Sequence, residues 1–420
     1  MYKNKLLIIA FATLLFIPFA KSQNNTNSPY TRFGYGDINE TNNGEQRAMG
    51  GVAIGSREKT SINTVNPASY SVVDSMSFQF DMGLSGLVSR FSSNAGGTTK
   101  YNANLEYITM QFPLTKWLGF SAGALPYSFV GYSFYTKDTL FINDVVNNSV
   151  VRRDTSAYTK TFAGVGGFSQ VYMGISAKLF DHISVGVNAY YMFGTINNYR
   201  DLTYTDKNYT GTTQSNTLKA NSFRFRYGLQ AFNTFAKKHD VTLGLIYEQK
   251  TKLNGSFVSS TSGILTDSLP AKYGFETPSM FGVGLHYTFD RRISVGFDYS
   301  LQQWKDAQFG GKTDSLGNRA KLALGFEFIP NPDGKKYFDH VKFRGGINLS
   351  DAYFRVGNQT LPKNFGVSFG LGLPLRGTNT VLNASLEYGK IGASSLLRED
   401  YFKFTFNINF NERWFFKRKL

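Results

Sequence analysis

The stretch from residue 401 to residue 410 alternates strictly between apolar and polar side chains. Successive side chains of an extended strand point to opposite faces, so this stretch predicts a strand that separates two different solvents. One such strand is also typical of a soluble β-sandwich, but here the pattern recurs along most of the chain. The recurrence favours a transmembrane β-barrel, whose outer face meets lipid and whose inner face meets water or a plug. The apolar face carries Phe402, Phe404, Phe406, Ile408 and Phe410, and the polar face carries Lys403, Thr405, Asn407 and Asn409.

The N-terminus has the features of a secretory signal. Lys3 and Lys5 precede an apolar run over 6–20, and Ala20 is a small residue at a cleavage site of the expected kind. We therefore interpret residues 1–22 as a signal peptide, and we expect the outer membrane of a Gram-negative cell as the destination. The alternative is an N-terminal membrane anchor, for which this run is short. Beyond it, no apolar stretch is long enough for a spanning helix.

Composition excludes several classes of function. The chain has no cysteine, so disulfides and thiolate metal sites are excluded. Its 42 glycines, 39 phenylalanines and 25 tyrosines fit a barrel, where glycine allows bends and aromatic residues mark the membrane interfaces. The net charge of +16 raises the question of nucleic acid. Because no basic block or nucleic-acid motif is visible, we expect no nucleic-acid partner and instead a basic lumen, basic loops or basic termini.

The alternating pattern predicts about fourteen strands within residues 76–412. Very short turns alternate with longer polar connections, the longest early one being 133–157. This alternation is typical of outer-membrane barrels with short periplasmic turns and long extracellular loops. The predicted strands are 77–90, 101–113, 117–132, 158–180, 182–200, 218–236, 239–252, 278–289, 291–304, 319–329, 340–348, 362–374, 379–389 and 401–412.

Many residues predicted to face the lumen are small, which indicates that something else fills it. A fourteen-stranded barrel is too wide for glycine and serine side chains to close. The segment 23–75 is the only long stretch left without a strand, so we predict that it is a hatch that plugs the barrel. Residues 413–420, basic and aromatic, are predicted to form a tail at the periplasmic interface. The charges predicted to face the lumen are Asp298, Glu327, Arg344 and Glu387.

Several motifs, taken in order, resemble a known family. Ala48-Met49-Gly50-Gly51-Val52-Ala53, followed by Asn66-Pro67-Ala68, is similar to the hatch signature of the FadL/TodX outer-membrane transporters of hydrophobic compounds. The stretches 278–285 and 295–299, together with Trp304, resemble the paired central strands of that family. The stretches 28–34 and 412–419 resemble its Bacteroidetes branch. The resemblance implies a hatch motif composed of Gly50, Gly51, Asn66, Pro67 and Ala68.

The family implies passive uptake of hydrophobic or amphipathic small molecules similar to long-chain fatty acids. Extracellular loops capture such a ligand, and it leaves sideways through a kinked strand into the outer-membrane lipid. Gly123 and Pro126 are candidates for this lateral opening, because proline lacks the N–H that a ladder needs. For the glycine clusters of other strands the alternative is plain barrel curvature.

A second function from a different class is a non-transporting barrel subunit of an outer-membrane protein secretion or assembly complex, with other outer-membrane proteins as partners. Fold alone does not decide between the two functions. An apolar lumenal pocket with a route to a strand gap favours transport. A lumen sealed by salt bridges favours the subunit.

No constellation in the sequence points to catalysis. Of the four histidines, His286 is predicted to face inward, but no nucleophile accompanies it and no metal-ligand spacing exists. We therefore predict that the chain is not an enzyme and holds no metal or cofactor. Trp117, Trp304 and Trp414 lie near predicted strand ends, where we expect them to anchor the barrel at the membrane interfaces.

Overall fold

The computed structural model describes residues 26–93, 96–146, 149–313, 316–355, 363–393 and 397–413. The predicted signal segment 1–22 lies outside these residues, as does the predicted tail apart from its first residue. No helix within the described ranges is long and apolar enough to cross a membrane.

The described chain is almost entirely extended. Its one α-helix is α1 (Gly44–Ala48), and five single 3₁₀ turns span Pro29–Arg32, Pro67–Val72, Ala271–Tyr273, Trp304–Asp306 and Tyr337–His340. The strands are β1 (Asp37–Ile38), β2 (Ser77–Ser93), β3 (Gly96–Pro113), β4 (Leu118–Val146), β5 (Ser149–Leu179), β6 (Ile183–Tyr204), β7 (Thr212–Phe235), β8 (His239–Glu248), β9 (Thr251–Lys252), β10 (Asn254–Thr261), β11 (Ile264–Pro270), β12 (Glu276–Thr277), β13 (Met280–Phe289), β14 (Ile293–Gln302), β15 (Arg319–Phe328), β16 (Lys342–Ser350), β17 (Asn364–Pro374), β18 (Val381–Ala393) and β19 (Leu397–Arg413).

Fourteen antiparallel strands of the described chain form one closed barrel, as predicted. They are β2 to β8 and β13 to β19, each bonded to its neighbour along the chain, with β8 bonded to β13. The barrel closes where β19 pairs with β2, from Arg413 opposite Ser77 to Arg398 opposite Ser92. Closure pairs most backbone groups of the sheet internally, which is the condition for a sheet to span lipid.

The side chains sort by face as the alternation predicts. On β19, Phe402 and Phe404 are half exposed on the outside, whereas Thr405 and Asn407 are buried on the inside. The same division holds on β15, where Leu324 faces out and Glu327 is buried. Charge is kept off the lipid face because an Arg or Lys near the bilayer midplane costs roughly 2–4 kcal/mol.

The prediction that 133–157 is a loop was wrong. Strands β4 and β5 continue through this segment and pair from Leu118 opposite Ala177 to Val146 opposite Ser149. Its solvent-exposed residues include Lys137 and Asp138. A hairpin that projects beyond the membrane meets water on both faces, so its strands need no apolar face and lack the pattern that marks a strand in lipid.

A second hairpin extends the sheet at the extracellular end. Strands β10 and β11 pair with each other, and β10 also pairs with β7, from Asn254 opposite Asn221 to Thr261 opposite Gln214. The short strands β9 and β12 form a separate two-stranded ladder beside it. These elements fold the connection between β8 and β13 over the barrel mouth.

Residues 26–76, called the hatch from here on, lie inside the barrel. Tyr35, Asn66 and Tyr70 of the hatch are fully buried, although the hatch has little regular structure of its own. Its contacts are with inward-facing side chains of the wall, which makes the lumen the core of this protein.

We expect Phe369→Arg to impair barrel assembly strongly. Phe369 lies in the middle of β17, and 65% of its surface is exposed on the outer face. The substitution therefore places a charge in lipid, at roughly 2–4 kcal/mol. Folded yield in phospholipid vesicles, read by heat-modified mobility, measures the effect. Phe369→Leu is the matched control and should fold normally; equal yields of the two variants would contradict this face assignment.

Candidate functional site: the hatch, its ion pairs and the wall seam

The hatch motif Gly50-Gly51 forms the turn that ends α1. Both residues have a positive φ, +69° and +88°, a conformation that glycine adopts without strain. The Gly50 N–H donates to Ser368 Oγ at 2.9 Å, and the Gly51 N–H donates to the Gln46 carbonyl at 2.8 Å. A Cβ on Gly50 would lie 2.7 Å from the Ile347 carbonyl oxygen. Glycine is therefore required here both by the turn and by its close approach to the wall.

Asn66-Pro67-Ala68 lies deep in the barrel and caps the 3₁₀ turn Pro67–Val72. The Asn66 side chain accepts from the Ala68 N–H at 3.1 Å and donates to the Ile54 carbonyl at 2.8 Å. The Ala68 carbonyl accepts from Ser176 Oγ and Ser184 Oγ, at 2.8 and 2.6 Å. Proline suits the first position of such a turn, and asparagine satisfies its free N–H. The motif thus fastens the hatch near the short periplasmic turn between β5 and β6.

Glycines of the wall mark where the hatch backbone passes. A Cβ on Gly346 would lie 2.2 Å from the Gly50 nitrogen, and one on Gly186 would lie 2.5 Å from the Pro67 carbonyl group. A real Cβ does not approach backbone atoms this closely. The wall therefore has glycine at these inward positions because the hatch backbone lies against them. The other wall glycines in similar contact with the hatch include Gly119, Gly228, Gly244, Gly284, Gly325 and Gly370.

Ion pairs join the hatch to the wall on several sides. Four charged hatch residues, two on α1 and two on flanking segments, each meet a wall residue of opposite charge in the interior. Breaking a buried pair is costly, because it leaves a charge without a partner in a low-dielectric site. The hatch is therefore held electrostatically as well as by packing. The pairs are Glu40 with Arg319 at 3.1 Å and with Lys321, Glu45 with Arg344 at 3.1 Å, Arg47 with Glu106 at 2.9 Å, and Glu58 with Lys342 at 3.6 Å.

The four predicted lumen charges all face inward, and three of them engage the hatch directly or through one neighbour. Asp298 accepts from the Ala53 and Ile54 N–H groups at 2.7 and 2.8 Å. Glu327 accepts from Arg344 at 2.6 Å, and Arg344 in turn pairs with the hatch. Glu387 differs, because it accepts from the Tyr401 hydroxyl at 2.8 Å and borders a cavity.

Glu45, Glu58 and Glu327 have carboxylate oxygens within 4.8 Å of one another. Such a cluster has the donors of a divalent-cation site. Here, however, Arg344 pairs with two of the carboxylates and Lys342 with the third. The residues therefore do not fit a metal, since the two cationic side chains already compensate the carboxylates.

The pKa values of two hatch carboxyl groups are shifted in opposite directions. Burial and the adjacent Glu45 raise the pKa of Glu58 to about 8, which Lys342 offsets only in part. Burial would also raise the pKa of Glu40, but Lys321 and Arg319 outweigh it and lower that pKa to about 2. Glu40 thus stays ionised under ordinary conditions, whereas Glu58 gains or loses its proton near neutral pH.

An aromatic cluster closes the extracellular side of the lumen. Tyr35 of the hatch lies 5.8 Å from Trp304 and 5.1 Å from Phe309, measured between ring centroids, and Trp304 lies 4.7 Å from Tyr353. The prediction that Trp304 anchors the barrel at the interface was wrong, since Trp304 is fully buried. The connections at the barrel mouth fold inward over the hatch. The alternating pattern predicts strands but not the path of these connections. Trp117 is half exposed, and Trp414 lies outside the described residues.

The barrel wall is interrupted between β3 and β4. Their ladder runs only from Pro113 opposite Gly119 to Ile108 opposite Ala124, although both strands continue far beyond. The predicted opening residues lie at this point: Gly123 in the last part of the ladder and Pro126 just after it. The register of β4 with β5 also shifts at Pro126. We call the gap beyond this ladder the seam.

The N-terminal part of the hatch, residues 26–39, lies against the seam from inside and is called the strap. Strand β1 pairs with β4, with Ile38 opposite Ser128. The Asn39 N–H donates to the Tyr127 carbonyl at 2.9 Å, and Thr31 Oγ1 accepts from the Gly131 N–H at 3.2 Å. The strap thus takes the place on β4 that β3 has left.

Two of the cavities that border the strap are lined with charge. One of about 930 Å³ is bordered by Arg224, Arg226 and Glu248, which are paired with one another. Another of about 1300 Å³ is bordered by Lys403 and Glu399 among others. An apolar ligand in either cavity would deprive charged groups of water without replacing their hydrogen bonds, which is unfavourable.

The histidines do not form a site within the described chain. His286 is buried and faces the lumen as predicted. His182 and His239 lie at the ends of strands beside short turns, and His340 contacts the Gly334 carbonyl. The hatch and wall residues described above make binding contacts between two parts of one chain.

The fold and the site together define a class of protein. One similar solved structure is the toluene transporter TodX of P. putida, with 14% sequence identity and a TM-score of 0.57, over 90% of this chain and 99% of that one. Another is a FadL homologue of Pseudomonas aeruginosa, with 12% identity and a TM-score of 0.56, over 90% of this chain and 99% of that one. A third is the toluene transporter TbuX of Ralstonia pickettii, with 14% identity and a TM-score of 0.57, over 89% of this chain and 98% of that one. These identities show the fold alone: this is a FadL-like outer-membrane β-barrel with an N-terminal hatch.

The family model named BamG matches residues 1–420, so the chain belongs to the BamG family. No curated protein sequence matches the chain. The barrel is of an outer-membrane family without known catalysis. The prediction of a transporter-family member is thus confirmed for the fold, while the family to which the chain belongs is a different one.

Gly346→Ala should loosen the hatch, and Gly345→Ala should not. The two glycines are adjacent on β16 and face opposite sides. A Cβ on Gly346 meets the Gly50 backbone at 2.2 Å, whereas one on Gly345 has no neighbour closer than 3.8 Å. Overpacking of this kind costs about 1–3 kcal/mol. Hydrogen exchange of hatch amides in detergent-solubilised protein should rise only for the first variant; the same exchange in both would contradict the contact.

Hatch docking should weaken as the pH rises from about 4.5 to about 8. The docked Glu58 keeps its proton in this range while an undocked glutamate loses it, since an ordinary glutamate titrates at about 4.3. Glu58→Gln should remove this dependence, read as hatch amide exchange at pH 6 and pH 9 corrected for intrinsic rates. Lys59→Gln, which breaks only an exposed pair with Asp74, is the control and should keep it. An unchanged pH response in Glu58→Gln would place the titrating group elsewhere.

Proposed function

We propose that this protein is a non-transporting barrel subunit of the BAM assembly complex of the outer membrane. The observation that carries the proposal is the set of ion pairs between hatch and wall, in which Glu40, Glu45 and Arg47 each pair with a wall residue of opposite charge. A channel must move its hatch each time a ligand passes. Each movement would separate these ion pairs and leave their charges without partners. A structural subunit gains from a fixed interior.

Family membership supports this proposal independently of the lumen. The BamG model matches the whole chain, and the name associates the family with the BAM complex. The aromatic cluster around Tyr35 and Trp304 also supports it, because it closes the extracellular side where a ligand would enter.

A second candidate is a passive channel for hydrophobic or amphipathic molecules with lateral release. The interrupted ladder at Gly123 and Pro126 favours it, since a gap in the wall is what lateral release requires. Against it, the strap occupies the gap from inside, and charged groups line the cavities on either side of the strap. A hydrophobic ligand would have to displace Asp37–Ile38 from β4 and cross a charged lumen.

Purification from native membranes in mild detergent should separate these candidates. We expect BAM subunits to co-purify with the tagged protein in near-stoichiometric amounts, quantified by mass spectrometry. We also expect depletion of this protein to lower the folded yield of other outer-membrane barrels. Vesicles that contain the purified protein alone should take up toluene and long-chain fatty acids no faster than empty vesicles. Uptake well above empty vesicles, with no BAM subunit recovered, would overturn the proposal in favour of the channel.

A further inference from the structure

Four neighbouring connections at the periplasmic rim form one continuous surface. They join β7 to β8, β13 to β14, β15 to β16 and β17 to β18, and these strands follow one another around the barrel. Side-chain contacts link each connection to the next: Lys238 with Asp290 at 3.7 Å, Arg291 with Asp333 at 2.6 Å, and Arg376 over the Tyr337 ring at 5.7 Å. We call residues 235–238, 289–292, 329–341 and 375–380 the basic arc.

Cationic side chains outnumber carboxylates on the basic arc, and its carboxylates are already engaged within it. Besides the two ion pairs above, Asp339 accepts from the Lys336 N–H at 3.0 Å. The remaining exposed cations have no carboxylate at ion-pair distance among the residues that the structure describes. The arc therefore presents positive charge that the chain itself does not neutralise. These cations are Lys237, Arg292, Lys335, Lys336 and Arg376.

Two of the four connections contain a turn in which the backbone does not favour a cation. Each is a type I′ turn, whose two central residues both have a positive φ. The central pairs are Ala236-Lys237, at +48° and +58°, and Asp290-Arg291, at +51° and +56°. The second central position favours glycine, because a Cβ is strained there. Lys237 and Arg291 thus stand against the preference of the backbone, which indicates a role for the charge itself.

The connection between β15 and β16 is the longest of the four, and its own hydrogen bonds hold it in place. The Asn331 N–H donates to the Asp339 carbonyl at 2.9 Å, and the Gly334 N–H donates to the Asn331 carbonyl at 3.0 Å. It ends in the 3₁₀ turn Tyr337–His340. The backbone of Phe338 is therefore ordered before any ligand binds, which lowers the entropic cost of binding.

Exposed aromatic side chains place the basic arc at the edge of the lipid. Phe235 and Phe289 end β7 and β13 on the outward face, with 54% and 37% of their surfaces exposed. Phe338 is 75% exposed and follows Lys335 and Lys336 closely in the chain. Aromatic rings beside cations are typical of the headgroup layer of a membrane.

We propose that the basic arc binds the phosphate groups of anionic phospholipids, while Phe338 inserts between their acyl chains. The ligand class follows from the two kinds of side chain. The unneutralised cations attract an anionic headgroup, and the exposed aromatic rings need an apolar region directly beside it. An acidic segment of a water-soluble protein would neutralise the cations but leave Phe338 in water. Headgroup binding does not depend on the proposed function, since either candidate function keeps the barrel in the same membrane.

Electron paramagnetic resonance of spin-labelled lipids measures this preference. The purified full-length protein is placed in phosphatidylcholine vesicles with a trace of spin-labelled phosphatidylglycerol or phosphatidylcholine, and the protein-bound fraction of each label is compared. We expect a severalfold preference for phosphatidylglycerol. The preference should weaken as the salt concentration rises, because exposed charges are screened.

Two triple variants of equal charge change locate the site. Lys237→Gly, Lys335→Gln and Lys336→Gln together should remove most of the preference, and glycine suits the positive φ at position 237. The matched control combines Lys59→Gln, Lys116→Gln and Lys178→Gln, which removes the same charge from the rest of the periplasmic rim and should keep the preference. Heat-modified mobility should show that both variants are folded.

A single spin label tests the insertion of Phe338. The chain has no cysteine, so Phe338→Cys provides one labelling site. We expect the label to be more accessible to oxygen, which concentrates among acyl chains, than to a water-soluble nickel complex. Ser262→Cys, exposed in the turn between β10 and β11, is the control and should show the opposite order.

The other outcomes would overturn the inference. A wild-type protein without preference for phosphatidylglycerol would refute headgroup binding, and an equal loss in both triple variants would refute its assignment to the basic arc. A label at position 338 that is more accessible to the nickel complex would refute insertion. If the arc variant keeps the lipid preference but no longer co-purifies with BAM subunits, the arc binds a protein instead, and the proposed function stands.

Discussion

Hydrogen bonding of the backbone in lipid is the constraint on which the rest of this structure depends. A sheet that spans a bilayer must close on itself, because an edge has no partner among acyl chains. Thirteen of the fourteen neighbouring pairs satisfy this constraint over most of their length in the membrane. Between β3 and β4 the ladder stops at Ala124, and the chain uses its own strap to complete β4. The wall and the hatch are thus not independent parts, since a piece of the hatch serves as wall.

Closure of a wide barrel creates the second constraint, which is a lumen that must be filled. The wall does this by omitting side chains where the hatch backbone passes, as at Gly186 and Gly346, and by matching charges where hatch side chains reach it. Buried ion pairs add little net stability compared with apolar packing, but they penalise every other arrangement strongly. The charges therefore specify one position of the hatch. Such specificity suits a protein whose interior stays fixed while its outer surface meets partners.

Period-two alternation made the strands, their faces and the fourteen-stranded barrel predictable, because lipid imposes that pattern wherever a strand crosses it. The alternating pattern ends where the lipid ends. For this reason the sequence predicts a loop where β4 and β5 extend beyond the membrane. The prediction for Trp304 was wrong for a related reason. Its position at a strand end is typical of the membrane interface, whereas its burial depends on connections that fold back over the barrel mouth. The ion pairs could not be predicted, since partners such as Glu45 and Arg344 are distant in sequence. A lumen-facing charge indicates that a counter-charge exists, but not which residue supplies it.

Hydrocarbon transporters share this fold, but a fold alone does not determine function. A lateral gap in the wall can serve a channel only if a hydrophobic ligand can cross the lumen to reach it. Here the strap lies behind the gap, and charged cavities flank the strap. The gap therefore does not open onto an apolar path through the lumen.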